Sequence, residues 1–543
     1  MAETKQQDAV PPAWSPLFQK GPDTTEYERL DDRGPKLERL GGRDFLMVPD
    51  STLENLAKTA FLRISHLYRA SHLERLRAIL DDPEASENDR YVAHALLKNA
   101  VIASAGQLPM CQDTGTGIVV GEKGQGVLTE GADAAPLSRG LAAAFSEGNL
   151  RYSQMAPLTL YEERNTGSNL PAQIDISAVP GGEYRLLFVA KGGGSANKTF
   201  LFQQNRRVLS DDRLLSFLGE KIRELGTAAC PPYHLAVVIG GLSAEHTLKT
   251  LKLASCHDLD GLPETGDASG RAFRDHRLEA QIQELTRGYG LGAQFGGKYF
   301  CHDVRVVRLP RHGASLPIGL GVSCSADRQA KAKITAEGVF LEKLEAHPEL
   351  FLPELDGEAG TVTRIDLSRP MSEVREALSK VGVGGRVSLS GPLLVARDIV
   401  HAKLSEGLAR GEELPAYVKE QAIYYAGPAK TPAGMPSGSF GPTTAARMDG
   451  YVADFQAAGG ALVTLGKGNR SPAVAEACAR HGGFYLGSIG GAAAAIAQDH
   501  IRSVEIVDFE ELGMEAAWRI EVEDFPAFVV VDDKGNDFFA RGR

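Results

Sequence analysis

The sequence predicts a mixed α/β protein that contains at least two domains. Its 543 residues are more than one hydrophobic core usually holds. Short β-rich runs and helical patterns follow one another without the strict βαβ rhythm of a doubly wound sheet. A polar stretch with several helix-breaking residues, 346–365, separates two regions of different pattern, and we interpret it as a linker.

The first domain is predicted over 46–345, after an N-terminal tail at 1–45. Its first two helices are expected to begin at Ser51 and Ser71, because each serine is followed three residues later by glutamate, as in a capping box. Further helices are predicted at 138–147, 212–226 and 243–255. The predicted strands of this domain are 117–121, 184–190, 235–240, 304–309 and 318–322.

The second domain, 366–543, is smaller and has a compact α/β pattern. The segment 427–442 is too rich in glycine, proline and serine for a hairpin turn, and long ordered loops in compact domains are often functional. The predicted elements are strands at 386–390, 421–426, 461–465 and 527–531, and helices at 394–409, 444–458 and 471–480.

The formal net charge of −11 argues against a general nucleic-acid-binding protein, which needs basic patches to displace counterions. It leaves room for an anionic substrate, since a few local cations can make a positive pocket on an acidic protein. No apolar run reaches the ~18 residues of a membrane helix, and the first residues resemble neither a signal peptide nor a mitochondrial transit peptide. We therefore expect a cytoplasmic protein without nucleic-acid or membrane partners.

Three of the six cysteines share a setting next to predicted loops, and none of the six forms a CxxC pair. Cys111, Cys230 and Cys324 lie where a thiolate can face a cavity, whereas the other three are better interpreted as small core residues. The separations match no local ferredoxin motif, so spacing alone favours unlinked buried cysteines over metal ligands. The remaining cysteines are Cys256, Cys301 and Cys478.

A run of three glycines follows the predicted strand 184–190, within Lys-Gly-Gly-Gly-Ser-Ala-Asn-Lys at 191–198. Successive glycines allow backbone N–H groups to approach an anion, although a flexible turn is the simpler interpretation of a lone triple glycine. The pattern of a Walker phosphate loop is missing from this run.

Several separated motifs, in consistent order through both domains, resemble the class I fumarases. They are Cys111 with the Gln-Asp-Thr-Gly-Thr that follows it, the glycine run at 191–198, Gly-Pro-Thr-Thr-Ala-Ala-Arg at 441–447 and Gly-Lys-Gly-Asn at 466–469. The resemblance implies an N-terminal domain that binds an oxygen-sensitive [4Fe–4S] cluster through Cys111, Cys230 and Cys324. It also implies a C-terminal domain of the swivelling type, a homodimer, and reversible hydration of fumarate to (S)-malate. Three protein ligands would leave one iron open to act as a Lewis acid.

The same resemblance assigns roles to polar residues in both domains. Gly194 and the stretch 197–203 are expected in the substrate or cluster pocket, and Asp113 and His312 are acid–base candidates at the hydroxyl end of the substrate. Thr443 is the implied base at C3, although bare chemistry favours Asp113 or His312 and the ordinary role of such a threonine is a helix N-cap. The implied contacts to substrate carboxylates are Gln112, Arg151, Arg397, Arg447 and Lys467.

Three alternatives stay open at the level of sequence. The nearest is the same chemistry on another acid, as in tartrate dehydratase or mesaconate hydratase. The second is a non-catalytic metal-binding regulator that reads nucleic acid in its metal-free form, against which the acidic charge argues. The third is a zinc protein that uses the adjacent pairs Cys256-His257 and Cys301-His302, a geometry in which both side chains rarely reach one metal.

Overall fold

The structure is a computed structural model that describes residues 15–31, 34–354 and 362–540. Within these ranges the chain contains helices and strands throughout, so the predicted mixed α/β class is confirmed. The first 14 residues of the predicted tail and residues 355–361 of the predicted linker lie outside the described residues.

Two large sheets dominate the N-terminal half. Most neighbouring strands in them are antiparallel, and most of these pairs join strands that are far apart in the sequence, such as Tyr184–Lys191 with Gln329–Thr335. The six-stranded sheet has the order Tyr27–Asp31, Gly338–Glu342, Gln329–Thr335, Tyr184–Lys191, Thr116–Gly124, Gln173–Val179. The five-stranded sheet has the order Phe200–Gln204, Leu316–Ser323, Tyr233–Gly241, Cys301–Arg311, Phe273–Arg274. Smaller sheets contain Lys36–Leu40, Arg43–Val48 and Val127–Thr129, and Met155–Pro157 with Glu163–Asn165.

The helices of this half cover the sheets with one apolar face. The helix Asp50–His66 buries Leu53, Ala57 and Phe61, whose spacing puts them on one side, against Ala134–Glu147 and the six-stranded sheet. The α-helices of this half are Asp50–His66, Ala70–Asp81, Glu87–Ser104, Ala134–Glu147, Gly193–Ala196, Asp211–Arg223, Ala244–Ser255 and His276–Arg287.

The predicted N-caps of the first two helices are wrong. Helical geometry already begins at Asp50 and Ala70, after the extended residues Pro49 and Arg69. The two serines therefore lie inside the first turn of each helix, where a hydroxyl cannot occupy the cap position.

One closed sheet forms the C-terminal half. Five of its seven strands are parallel, and the long strand Ala517–Val531 pairs antiparallel with both Phe484–Gly487 and Arg386–Val395, so that the sheet closes on itself. The order is Val362–Asp366, Arg386–Val395, Ala422–Tyr424, Val463–Gly466, Phe484–Gly487, Ala517–Val531, Ile501–Asp508, and Ala426–Pro428 pairs separately with Phe440–Pro442. The α-helices are Met371–Leu378, Asp398–Ala409, Ala416–Glu420, Asp449–Ala457, Pro472–His481 and Ala493–Ala495.

The two halves share one continuous hydrophobic core. Leu96 and Met110 of the first half belong to the same buried cluster as the C-terminal strands. The rings of Phe295 and Phe528 stack across the junction with their centroids 4.0 Å apart. This packing fixes the junction at which the polar site described below is found.

The stretch predicted to be a tail contains the strand Tyr27–Asp31, which pairs with Gly338–Glu342 at the edge of the six-stranded sheet. The stretch predicted to be a linker contains part of the strand Val362–Asp366. The division of the chain at 345–366 stays a prediction. Among the helices of the described ranges, none combines the length and the apolar character that crossing a membrane requires.

Candidate active site and metal centre

Sheet pairing brings Cys230 and Cys324 together. Cys230 lies just before the strand Tyr233–Gly241, and Cys324 follows the neighbouring strand Leu316–Ser323. These strands are antiparallel, so the start of one lies beside the end of the other, and His234 pairs with Ser323. The backbone N–H of Ser325 donates to the carbonyl of Cys230 at 3.0 Å and joins the two loops directly.

Cys111 reaches the same place from a loop between the helix Glu87–Ser104 and the strand Thr116–Gly124. The loop is fixed on both sides of residue 110: the Met110 N–H donates to the Ser65 carbonyl at 2.9 Å, and the Asn99 amide donates to the Met110 carbonyl at 3.0 Å. All six cysteines have free thiols.

The three thiols lie within electrostatic reach of one another and of Lys467. The Lys467 ammonium donates to Cys230 Sγ at 2.9 Å. Burial raises the pKa of the Cys230 thiol to about 11 even though Lys467 opposes the shift. Burial also raises the pKa of Cys111, against the positive charge of Arg328. Burial would lower the pKa of Lys467, but the charges of all three cysteines outweigh it and raise that pKa. The cations therefore offset part of the cost that burial places on thiolates at this site.

The backbone at Cys230 is strained and closely surrounded. Cys230 has φ of +63°, a left-handed conformation that costs a non-glycine residue on the order of 1–3 kcal/mol. A Cβ on Gly490 would overlap Cys230 Sγ, so only glycine allows this close approach of the C-terminal domain. Strain of this kind is typical of residues whose side chain must point in one direction.

The donor set suits a multi-iron cluster better than a single ion. Within the described part of the chain, two groups of side chains place their ligand atoms within 4.8 Å of one another, and neither contains a cysteine. Three free thiols that converge from separate loops without meeting at one point fit a larger inorganic centre. Ser325 Oγ is buried beside them without a partner among the described residues.

The two compact groups are His72, His234 and Asp327, and His234, His257 and Asp303. They form a buried hydrogen-bonded network behind the cysteine loops, in which His234 lies 3.0 Å from His72 and 2.9 Å from Asp303. Arg305 already contacts Asp303 and lies 2.7 Å from His257, so a cation is present at the second group. Neither Cys256 nor Cys301 belongs to these groups, which removes the geometric basis for the alternative of a zinc site.

A polar cavity of about 310 Å³ opens between the two domains beside Cys230. Among the described residues that line it there are five cationic side chains and one carboxylate, so the cavity attracts an anion. The lining residues are Gln112, Asp113, Arg151, Gly193, Gly194, Asn197, Lys198, Ala228, Arg397, Gly427, Gly441, Pro442, Thr443, Thr444, Ala446, Arg447, Lys467 and Asn469.

Arg397 is the most deeply buried arginine of this cavity, with 8% of its surface exposed. Its guanidinium contacts Glu515 and donates to the Met514 carbonyl at 2.8 Å. Burial, together with the cations of Arg151 and Arg447, lowers the pKa of Arg397 to about 10, against the effect of Glu515. The cavity thus holds more positive charge than its own acids neutralise.

Asp113, the carboxylate among the lining residues, is held in its ionised form. The N–H of Gly193 donates to Asp113 Oδ2 at 2.7 Å, and Arg151 Nη2 lies 3.6 Å from Oδ1. Burial would raise the pKa of the Asp113 carboxyl, but Arg151, Arg328 and the Gly193 N–H together hold that pKa below its ordinary value.

Thr443 makes a side-chain contact that differs from the ordinary expectation of an N-cap. A short 3₁₀ turn, Ala445–Met448, precedes the helix Asp449–Ala457, and neither has a side-chain cap. Thr443 Oγ1 instead accepts a hydrogen bond from Arg447 Nη2 at 2.9 Å, and the same nitrogen lies 2.7 Å from Asp398 Oδ2.

Gln112 and Gly194 complete the set of lining residues that the resemblance implies. The Gln112 amide donates to the Pro442 carbonyl at 3.1 Å and so contacts the C-terminal domain. A Cβ on Gly194 would lie 3.7 Å from Lys467 Nζ and 3.6 Å from the Ala228 carbonyl, in ordinary contact. The loop 427–442 forms one wall, since Gly427, Gly441 and Pro442 line the cavity.

His312 lies elsewhere in this chain. It is exposed in the turn between the strands Cys301–Arg311 and Leu316–Ser323, where its Nδ1 accepts from the Ala314 N–H at 3.2 Å. It is not among the residues that line the cavity. Its role as an acid–base group stays a prediction.

The structure adds residues that sequence reasoning did not assign. Asn469, in the motif at 466–469, lines the cavity; Lys198 lines it too, but it belongs to the stretch 197–203 that was already expected in the pocket. Gln294 joins the Cys230 loop to the C-terminal domain: its amide nitrogen lies 3.0 Å from the Pro231 carbonyl and 2.9 Å from that of Gly490, and its oxygen accepts from the Gly490 N–H at 2.8 Å. No sequence signal marks Gln294, because its partners are distant in the chain.

Asn99 makes a second connection between the domains. Its amide oxygen accepts from the N–H groups of Ala494 and Ala495 at 2.8 and 3.1 Å. The same side chain holds the loop of Cys111 through the Met110 carbonyl. The loops of Cys111 and Cys230 are therefore each attached to the C-terminal domain by a buried side-chain amide.

Two protein-family models match consecutive parts of this chain. The family described as "Fumarate hydratase (Fumerase)" matches residues 54–333, and "Fumarase C-terminus" matches 338–542. The anaerobic class I fumarate hydratase of Escherichia coli is 57% identical over 96% of this chain and 96% of its own length. Fumarate hydratase 2 of Leishmania major is 56% identical over 95% of this chain and 92% of its own length.

A shorter relative covers less of the chain. The putative L(+)-tartrate dehydratase subunit beta of Methanocaldococcus jannaschii is 35% identical over 30% of this chain and 87% of its own length. The two family matches and the high identity over nearly full length agree with the motifs at the cysteine loops and around the cavity. The chain therefore belongs to the class I fumarate hydratase family.

Proposed function

We propose that this protein is a hydro-lyase that adds water reversibly to fumarate to give (S)-malate. The observation that carries the proposal is the cavity between the domains, which five cations line and in which one of them, Lys467, also contacts Cys230. A four-carbon dicarboxylate needs cations at both ends, and both domains contribute cations to the lining of the cavity. The names and identities of the full-length relatives support the same activity.

Cys111, Cys230 and Cys324 would hold a [4Fe–4S] cluster, with Lys467 beside the Cys230 sulfur. With three protein ligands, such a cluster supplies an open iron that acts as a Lewis acid on the hydroxyl group. The three free thiols, two of them buried, the cations near them and the glycine contact at Gly490 support this assignment.

The arginines would bind and orient the substrate. A guanidinium matches a carboxylate with two parallel hydrogen bonds, which fixes the plane of each carboxylate. Arg397 and Arg447 from one domain and Arg151 from the other line the cavity from different sides. Removing the C3 proton of malate leaves negative charge that delocalises onto the neighbouring carboxylate, and the same cations stabilise it.

Thr443 is the proposed base at C3. An isolated threonine hydroxyl is a poor base, but a charged donor at 2.9 Å stabilises its alkoxide form. Asp113, held ionised by Gly193 and Arg151, is placed to accept or return the proton at the hydroxyl end.

A related dicarboxylate hydro-lyase is the second candidate function. The relative named as a tartrate dehydratase subunit supports it, although that relative covers only 30% of this chain. A cytoplasmic location and a homodimeric state are proposals that rest on the resemblance to the family.

The activity is tested by assaying anaerobically purified protein with fumarate, tartrate and mesaconate. We expect the highest kcat/KM for fumarate, because full-length relatives at 57% identity are named fumarate hydratases. A preference for tartrate or mesaconate would replace the proposed substrate. No turnover of any of the three acids would contradict the enzyme itself.

Replacement of any one of Cys111, Cys230 and Cys324 by serine is expected to abolish activity and to lower the bound iron and sulfide. The control is Cys478→Ser, since Cys478 is buried in the C-terminal core away from the cavity. This variant should keep its iron and lose mainly stability, by about 1 kcal/mol. Full activity of wild-type protein after prolonged aerobic chelation, with no iron left, would rule out the cluster.

Arg447→Met is expected to lower kcat/KM for malate by the equivalent of ~2–5 kcal/mol, because a charge-assisted contact to the substrate is lost. Arg410→Met is the matched control, since Arg410 is exposed and pairs only with Glu412 among the described residues. Steady-state kinetics on both variants decide the matter. An Arg447→Met enzyme within a small factor of the control would place the carboxylate elsewhere.

Thr443→Val is expected to stop exchange of the C3 proton of malate with deuterated solvent while malate still binds. The reason is that valine keeps the shape of threonine but has no hydroxyl to take the proton. Thr363→Val, in the strand Val362–Asp366 and outside the residues that line the cavity, serves as the control and should exchange normally. Normal exchange in Thr443→Val together with lost exchange in Asp113→Asn would transfer the role of base to Asp113.

A further inference from the structure

Arg328 is a buried cation with unused hydrogen-bond donors. It lies four residues after Cys324 and has 2% of its surface exposed. Its Nε and Nη1 groups have no hydrogen-bond partner within the described part of the chain. Leaving such donors unsatisfied in the interior costs about 1–3 kcal/mol or more for a charged group. A partner for them is therefore expected in the working protein.

The backbone holds this side chain in place. The Ala190 N–H donates to the Arg328 carbonyl at 3.0 Å, at the start of the strand pair between Tyr184–Lys191 and Gln329–Thr335. A Cβ on Gly192 would lie 3.0 Å from Asp113 Oδ2 and 3.3 Å from Arg328 Nη2. The Asp113 carboxylate and the Arg328 guanidinium therefore both lie close to Gly192.

Arg328 lies outside the lining of the cavity that we propose for the substrate. The residue is not among those that line the large cavity; it lines a separate space of about 10 Å³ together with Gly192, Ser195, Cys324 and others. A space of that size holds about one water molecule. The unsatisfied donors therefore face the cysteine side of the wall and not a dicarboxylate.

The other cations near the thiols are already engaged. Lys467 donates to Cys230, Lys191 donates to the Val322 carbonyl at 2.9 Å, and Arg151 lies beside Asp113. Within the described ranges, Arg328 is the buried cation of this neighbourhood whose donors are free. A cluster with three thiolate ligands is anionic, and hydrogen bonds to its sulfurs raise its reduction potential.

We propose that Arg328 is a positioning residue for the cluster, donating Nε–H and Nη1–H to sulfur on the side of Cys111 and Cys324. The proposal rests on the cluster of the proposed function. Its donors compensate negative charge on the sulfurs, and its Nη2 faces Asp113 across Gly192, so that one guanidinium fixes the cluster and the carboxylate relative to each other.

The test compares Arg328→Met, Arg328→Lys and Arg69→Met after anaerobic reconstitution with iron and sulfide. Arg69 is the control because it is also largely buried, but its donors are satisfied: Nε and Nη2 donate to Glu342 at 2.6 and 2.9 Å, and Nη1 donates to the Cys256 carbonyl at 3.1 Å. The measurements are iron and sulfide per chain, the midpoint potential of the cluster, the rate of bleaching in air and the rate of iron loss to a chelator.

Arg328→Met is expected to lower the midpoint potential, to bleach faster in air, and to lose iron to chelator about 10- to 100-fold faster. Arg328→Lys keeps the charge without the planar fork, and should shift the potential in the same direction by less. Arg69→Met should lose stability while its cluster keeps the wild-type potential. If Arg328→Met does not fold, the potential of Arg328→Lys decides.

A loaded Arg328→Met protein with wild-type potential and bleaching rate would overturn this inference alone, and would assign the donors to a buried water. If Arg328→Met does not fold, a wild-type potential in Arg328→Lys overturns it equally. Wild-type protein that retains no iron and sulfide after reconstitution would overturn the inference and the proposed cluster together.

Discussion

Lys467 and Cys230 belong to different domains, and the 2.9 Å contact between the ammonium and the sulfur ties the chemistry of the site to the packing of the chain. A buried ammonium carries a large cost of desolvation, as would a thiolate at Cys230, and each would compensate the charge of the other. Moving the domains apart would leave both groups without compensation. The charge balance at Cys230 and Lys467 therefore depends on the packing of the two domains against each other.

Two neutral side-chain amides also connect the domains through hydrogen bonds. Asn99 and Gln294 each use both the donor and the acceptor of one side chain to join a cysteine loop to main-chain groups of the C-terminal domain. A fully satisfied amide is cheaper to bury than a charge, and its fixed geometry specifies a single arrangement. Because neutral amides make these contacts between the domains, the cationic side chains of the cavity stay available to an anion.

Much of this could be predicted from local pattern. The strand after Cys230 and the strand before Cys324 are recognisable in the sequence as apolar runs. The motifs at 191–198, 441–447 and 466–469 contain residues that the fold brings to one cavity. The exact starts of the first helices were not predictable from the capping boxes, because the conformation of Pro49 and Arg69 decides them. Arg328 and Gln294 were not predictable either, since their significance comes from strand pairing and domain contact between residues far apart in sequence.

The cavity is built from both halves of one polypeptide, which affects how often the two halves meet. When two halves of a site are joined by a tether, they meet at an effective concentration that the tether sets, on the order of millimolar for short flexible connections. One relative, which matches 30% of this chain over 87% of its own length, is named a subunit. A site built from two separate chains would assemble less often on dilution, whereas dilution leaves the meeting of two halves of one chain unchanged.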